Sequence, residues 1–119
     1  MTYLSDRWSI LIIGIPTDDG VTVSEHFGRS KNFLIVGVEN GKLLSRKIED
    51  NPHNKESDDR AGHGRVLKLL TDNKVKKVIC FNLNPRMEDN LTSLKIAIKR
   101  AGLNSTIDEI LKEEVESTA

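Results

Sequence analysis

Asn84-Pro85-Arg86-Met87-Glu88-Asp89-Asn90-Leu91-Thr92-Ser93-Leu94-Lys95-Ile96-Ala97-Ile98-Lys99-Arg100-Ala101 carries two incompatible periods. Met87, Leu91, Leu94, Ile98 and Ala101 fall on one helical stripe. Asn84-Pro85 is a helix start: asparagine caps, proline takes the first position, where no N–H is needed, and Glu88 and Asp89 suit the positive end of the dipole. Yet Leu94, Ile96 and Ile98 also alternate with Lys95, Ala97 and Lys99, the pattern of a strand, and Thr92-Ser93 would break a helix just before it. One long helix or a helix followed by a strand decides how many strands the sheet has.

The flanks give clearer signals. Val75 to Phe81 reads as a strand, with two lysines, Lys76 and Lys77, at its mouth. Before it, Val66, Leu67, Leu69 and Leu70 have helical spacing after Ala61-Gly62-His63-Gly64, and Asn73 suits the helix end. Glu49 to Arg60 has almost no apolar residue and contains Asn51-Pro52-His53-Asn54, so it is expected to be an exposed loop, mobile over about residues 50–60, with His53 solvated until the loop closes over a bound ligand. Further upstream, Ile10 to Ile15 is β-branched and continuous, as in a strand buried on both faces; Pro16 ends it and Thr17-Asp18-Asp19-Gly20 turns. Val21 to Arg29 is too short and mixed to assign. Phe33 to Val38 is a second strand, Asn40-Gly41 a hairpin turn, and Leu43 to Ile48 the antiparallel return. Downstream, Thr106-Ile107-Asp108-Glu109 is a capping box, Ile107, Ile110, Leu111 and Val115 give the last helix a buried face, and the tail from Glu113 frays. Residues 1–8 form a polar lead-in. Helices alternating with the later strands require parallel pairing there, and the hairpin makes the sheet mixed.

At 119 residues and 37% hydrophobic content the chain is one domain with enough apolar mass for a core. Eighteen basic against eighteen acidic residues argue against a nucleic-acid coat protein. No apolar run approaches the ~20 residues of a membrane span, no secretion signal is indicated, and the single cysteine excludes an internal disulfide. The expectation is a cytoplasmic α/β domain. Phosphate-binding glycine loops are absent, no triad assembles from three histidines and one cysteine, and the first strand lacks the carboxylate a metal-dependent nuclease would need.

Three places can carry chemistry. Ser24-Glu25-His26-Phe27-Gly28-Arg29-Ser30-Lys31 combines an imidazole able to ligate metal, a glycine permitting close approach and an arginine able to clamp an oxyanion. The plainer reading is a turn histidine, a core phenylalanine and solvated cations. Gly62-His63-Gly64 at a helix start would expose N–H groups to an anion, with His63 alongside; a flexible helix entry is the alternative. Cys80, at the carboxyl end of its strand, could ligate iron as a thiolate, or be a small buried hydrophobe.

Ile15-Pro16-Thr17-Asp18-Asp19-Gly20, Val23-Ser24-Glu25-His26-Phe27-Gly28-Arg29-Ser30, Asn51-Pro52 and Gly62-His63-Gly64 together resemble the dinitrogenase iron–molybdenum cofactor biosynthesis family. Asn84-Pro85-Arg86 and Thr106-Ile107-Asp108-Glu109 resemble that family's glycine-proline-arginine turn and its last helix start. The likeness runs from about residue 9 to 115. It implies a ribonuclease H-like, three-layer α/β fold with a five-stranded mixed sheet, order β-β-β-α-β-α-β-α. Running its pattern from Pro85 places the last strand on Lys95 to Lys99, after a helix ending near Thr92. It also implies a small non-enzymatic carrier of the iron–molybdenum cofactor, its precursors or a related iron–sulfur cluster, with His26 as ligand. Physical inference adds Gly28, Arg29, Gly62, His63 and Gly64 around an anionic cluster, with His63 a second metal ligand and Cys80 a less favoured one. Partners would be cluster-donor or acceptor proteins, not nucleic acid or membrane, and the chain a monomer or weak homo-oligomer. Two positions depart from the family pattern. Phe81 begins a turn that is glycine-rich in the family and would narrow a cluster's approach, and Lys95 replaces a glycine. The competing readings are an interaction domain of the same fold that binds a small anion or protein without metal, and a hydrolase using Asp18 and Asp19 with a divalent ion.

Overall fold

The computed structural model describes residues 10–55 and 59–119; the polar lead-in falls outside them. Strands β1 (Leu11–Thr17), β2 (Asn32–Glu39) and β3 (Lys42–Asp50) come first. A 3-10 turn (Pro52–Lys55), helix α1 (Asp59–Asp72), β4 (Lys77–Cys80), α2 (Pro85–Ser93), β5 (Ala97–Arg100) and α3 (Ile107–Ser117) follow. The sheet has five strands in the order β3-β2-β1-β4-β5. β1 and β2 pair antiparallel, as do β2 and β3, while β4 is parallel to β1 and to β5. This is the mixed, three-layer arrangement expected, and the strand reading of residues 95–99 holds with its start two residues later.

Local chemistry explains the joints. Asn40 and Gly41 turn the β2–β3 hairpin with φ of 49° and 77°, the left-handed conformation these residues tolerate best. Asn84 caps α2, its side chain accepting the Met87 N–H at 2.8 Å, and Pro85 follows at the first position. Thr106 caps α3 by accepting the Glu109 N–H, and donates its hydroxyl to the Glu109 carboxylate at 2.7 Å. Helix α2 stops because Lys95 sits at φ 61°. A glycine there would adopt this conformation without strain. Likewise α1 ends on left-handed Lys74, while Asn73 donates to the Leu69 carbonyl at 2.9 Å.

Side-chain alternation along β2 builds two cores. Phe33 and Ile35 pack with Val66 and Leu70 of α1 and Met87 and Leu91 of α2. Leu34, Val36 and Val38 pack with Ile107 and Leu111 of α3 on the other face. Edge strand β3 is exposed through most of its length. On the α3 side Glu114 is buried at 1% exposure and accepts from Lys77 Nζ at 2.6 Å and Lys99 Nζ at 2.7 Å. Among the described residues no helix is long and apolar enough to cross a membrane.

The segment after β3 departs from the sequence reading. Asn51 and His53 are buried, at 2% and 6% exposure, where an exposed loop with a solvated histidine was expected. Their polar groups are satisfied within the fold, which a count of apolar residues cannot register. The mobility expected over about 50–60 falls partly on residues 56–58, outside the described residues.

Candidate functional site

A pocket of about 260 Å³ opens where the carboxyl ends of β1 and β4 meet the loop before β2. It is built by three walls.

The first wall is the 24–31 loop. Phe27 buries its ring edge-on against Phe33, with centroids 5.2 Å apart, so that His26 and Arg29 on either side remain exposed. Asp18 brackets the loop: it accepts the Lys31 N–H at 2.9 Å and the Ser24 hydroxyl at 3.2 Å, and Ser24 in turn accepts the His26 N–H. Asp19 accepts the N–H groups of Val21 and Thr22 at 2.8 and 2.9 Å. The bonds from Thr22 and Val21 hold its carboxyl below the usual carboxylate range. The acidic pair is thus committed to turn geometry, as its position just beyond the strand implied.

The second wall comes from the 3-10 turn and α1. Asn51 Nδ2 donates to the carbonyls of Ser30 at 2.8 Å and Gly28 at 3.2 Å, while its Oδ1 accepts the His53 N–H at 2.9 Å. One buried amide therefore ties the first wall to the second. The His53 ring lies over Gly62, where a Cβ would sit 2.5 Å from it, and meets the ring of His63 at a centroid distance of 5.4 Å. A Cβ at Gly28 would lie 3.9 Å from His63 Nε2, so His63 faces the first wall.

The third wall is the β4–α2 connection, Asn82, Leu83 and Asn84, with Met87 behind. Phe81, expected to crowd the approach, is not part of it. The ring packs with the α3-side core, because β4 alternation puts Phe81 on the face of Ile79 and opposite Cys80.

The pocket thus gathers His26, Gly28, Arg29 and His63, the site candidates of the sequence, and adds His53, which the sequence placed in a mobile loop. Gly62 and Gly64 do not serve as the anion-binding helix start expected of them. Helix α1 begins at Asp59, so both lie within the helix rather than before its first turn, and Gly62 is covered by the His53 ring. Among the lining residues Arg29 carries the formal positive charge. Cys80 is buried and outside the lining. Burial pushes its thiol up, against an opposing pull from Arg100, so thiolate ligation is disfavoured. Among the described residues no three His, Cys, Asp or Glu side chains converge on one metal-ion position.

The two helix glycines should separate cleanly. A Cβ on Gly64 meets nothing within 4 Å. Gly64→Ala should therefore stabilise the protein by about 0.5–1 kcal/mol, the cost of glycine in a helix. Gly62→Ala drives a methyl into the His53 ring and should destabilise by about 1–3 kcal/mol. Urea denaturation of the two variants measures both; equal effects would show that the His53 ring does not require the glycine beneath it.

The walls, sheet order and open pocket define a small three-layer α/β protein with a histidine-bearing site at the sheet's carboxyl edge. The family model for the dinitrogenase iron–molybdenum cofactor matches residues 9–117, and the chain belongs to that family. It is 31% identical over 107 residues to the uncharacterized protein MJ0580 of Methanocaldococcus jannaschii, covering 87% of this chain and 84% of that one. The solved structure of PH0822 superposes with a TM-score of 0.76 at 25% identity, covering 90% of each chain. The apo form of the orange protein of Desulfovibrio gigas superposes at 0.72 with 15% identity, covering 90% of this chain and 88% of the other, a likeness of fold.

Proposed function

We propose that this protein is a non-enzymatic carrier that holds an anionic metal cluster, the iron–molybdenum cofactor, its precursor or a related iron–sulfur cluster, in the three-walled pocket. One observation carries the reading: all three histidines of the chain line the same cavity, together with Arg29. Imidazole supplies a neutral ligand to a metal, whereas the guanidinium favours the cluster's negative charge. His26 is the exposed ligand at the rim, and His63 supports it from α1. The absence of a three-ligand set among the described residues fits a multi-metal cargo better than a single tightly held ion, because a cluster needs only one or two protein bonds and leaves as readily as it arrives. The exchange partners are then cluster-donating and cluster-accepting proteins of the cytoplasm, and no turnover is involved.

The test is anaerobic titration with extracted iron–molybdenum cofactor, followed by visible absorbance. Wild type should take up colour at one equivalent, and His26→Ala should lose most of that affinity while its amide spectrum stays native, since an exposed side chain contributes little to the core. Equal affinity in the two proteins would make His26 structural, and binding of a colourless anion or protein would then replace the carrier reading.

A further inference from the structure

The geometry of the second wall assigns a role to a residue that the sequence left in solvent. We propose that His53 and His63 form a two-imidazole chelate for a first-row transition-metal centre, whether a free ion or the exposed metal of a bound cluster; the second source rests on the carrier reading above.

Four observations converge on the pair. First, His53 is only 6% exposed yet lines the cavity, so its ring is fixed rather than solvated. Second, Gly62 in the interior of α1 is tolerated at the usual glycine penalty, and the space it opens is filled by the His53 ring, 2.5 Å from where a Cβ would be. Third, Asn51 accepts the His53 N–H and holds the Gly28 and Ser30 carbonyls with the same amide, which sets the ring's height against the wall that carries His26. Fourth, the two rings are 5.4 Å apart and tilted by 46°. Two imidazoles bound to one tetrahedral ion at Zn–N distances of about 2.0–2.1 Å place their centroids roughly 5 Å apart, so the observed ring separation matches that of a chelating pair. Two protein ligands leave further coordination positions for water, for His26 or for cluster sulfur. That makes the site exchangeable, unlike the closed four-ligand sets of structural metals.

The test has two arms, each read on the imidazole nitrogens by long-range proton–nitrogen NMR. In the first, Zn2+ alone is titrated into the full chain. In the second, extracted iron–molybdenum cofactor is added anaerobically. The expected result is that the ring signals of His53 and His63 shift together along a single 1:1 curve. His53→Gln, which keeps polarity and bulk, should weaken binding by at least what a lost outer-shell partner costs, about 10–100-fold. If Zn2+ binds in this way and the cofactor does not bind wild type, the pair stands as a free-ion site and the carrier reading falls. Cofactor affinity alone depending on His53 would make the pair a cluster ligand. Should His53 ring signals stay unmoved in both arms, the chelate is overturned. The same holds if folded His53→Gln keeps wild-type affinity in both arms while His26→Ala abolishes cofactor binding, and in that case the carrier reading survives.

Discussion

Glu114→Ala should lower the stability of the protein by about 2–3 kcal/mol. Removing one member of a buried ion pair typically costs about 3–5 kcal/mol, because the remaining charge is left without its partner. Here the loss is smaller because the lysines keep some contact with water. Lys77 is 23% and Lys99 37% exposed, and Lys99 retains Glu113 at 2.7 Å. Burial pushes the Glu114 carboxyl up, but the hydrogen bonds from Lys77 and Lys99 together outweigh it and hold the carboxyl below the usual range. A depressed carboxylate contributes stability that is complete above its ordinary value and disappears as pH falls through the folded value. The bonds from Glu113 and Glu114 raise the Lys99 ammonium, so its contribution is complete below the ordinary lysine value and is lost only as pH rises through the folded one. The stability gap between wild type and Glu114→Gln should therefore be flat across neutral pH and close below about pH 4.3. Urea midpoints at a series of pH values measure it. A gap that persists undiminished in acid would mean that packing, not charge, is what Glu114 contributes.

The sequence reveals what is decided within a few residues and conceals what is decided across the fold. The Asn40-Gly41 turn, the Asn84-Pro85 cap and the Thr106-Glu109 capping box are local devices, and each is where its residues say it is. Residues 94–99 are ambiguous in sequence because Leu94 and Ile98 serve either period. The left-handed Lys95 that ends α2 has no signature in a lysine. Strand alternation was sufficient to turn Phe81 away from the pocket, since it shares its parity with Ile79. No local rule finds His53. Its burial depends on a glycine nine residues later and on an asparagine whose amide reaches back 23 residues to Gly28. The one local sign was Asn51 standing two residues before His53, the spacing at which an asparagine side chain accepts a backbone N–H.

Asn51→Ala should damage both the fold and the site, and the two effects can be separated. The substitution strips partners from the buried Ser30 carbonyl and His53 N–H and from the half-buried Gly28 carbonyl. Leaving such groups unsatisfied costs about 1–3 kcal/mol each, partly relieved where water enters, so a net loss of about 2–4 kcal/mol is expected. A purely structural role would stop there. The amide, however, fixes the distance between the wall bearing His26 and the wall bearing His53 and His63. Cargo affinity should therefore fall by roughly tenfold or more even in protein that is fully folded, because an outer-shell partner that orients ligands is worth about 10–100-fold. Leu111→Ala supplies the matched comparison. It opens a cavity in the α3-side core, away from the pocket, and should cost a comparable 2–5 kcal/mol. Titration of both variants with extracted iron–molybdenum cofactor, at a temperature where each is native by its amide spectrum, isolates the positioning effect. Affinity should drop in Asn51→Ala and stay at the wild-type level in Leu111→Ala. Equal affinities would reduce Asn51 to a structural tie, whereas equal losses would show that binding follows global stability rather than the spacing of the two walls.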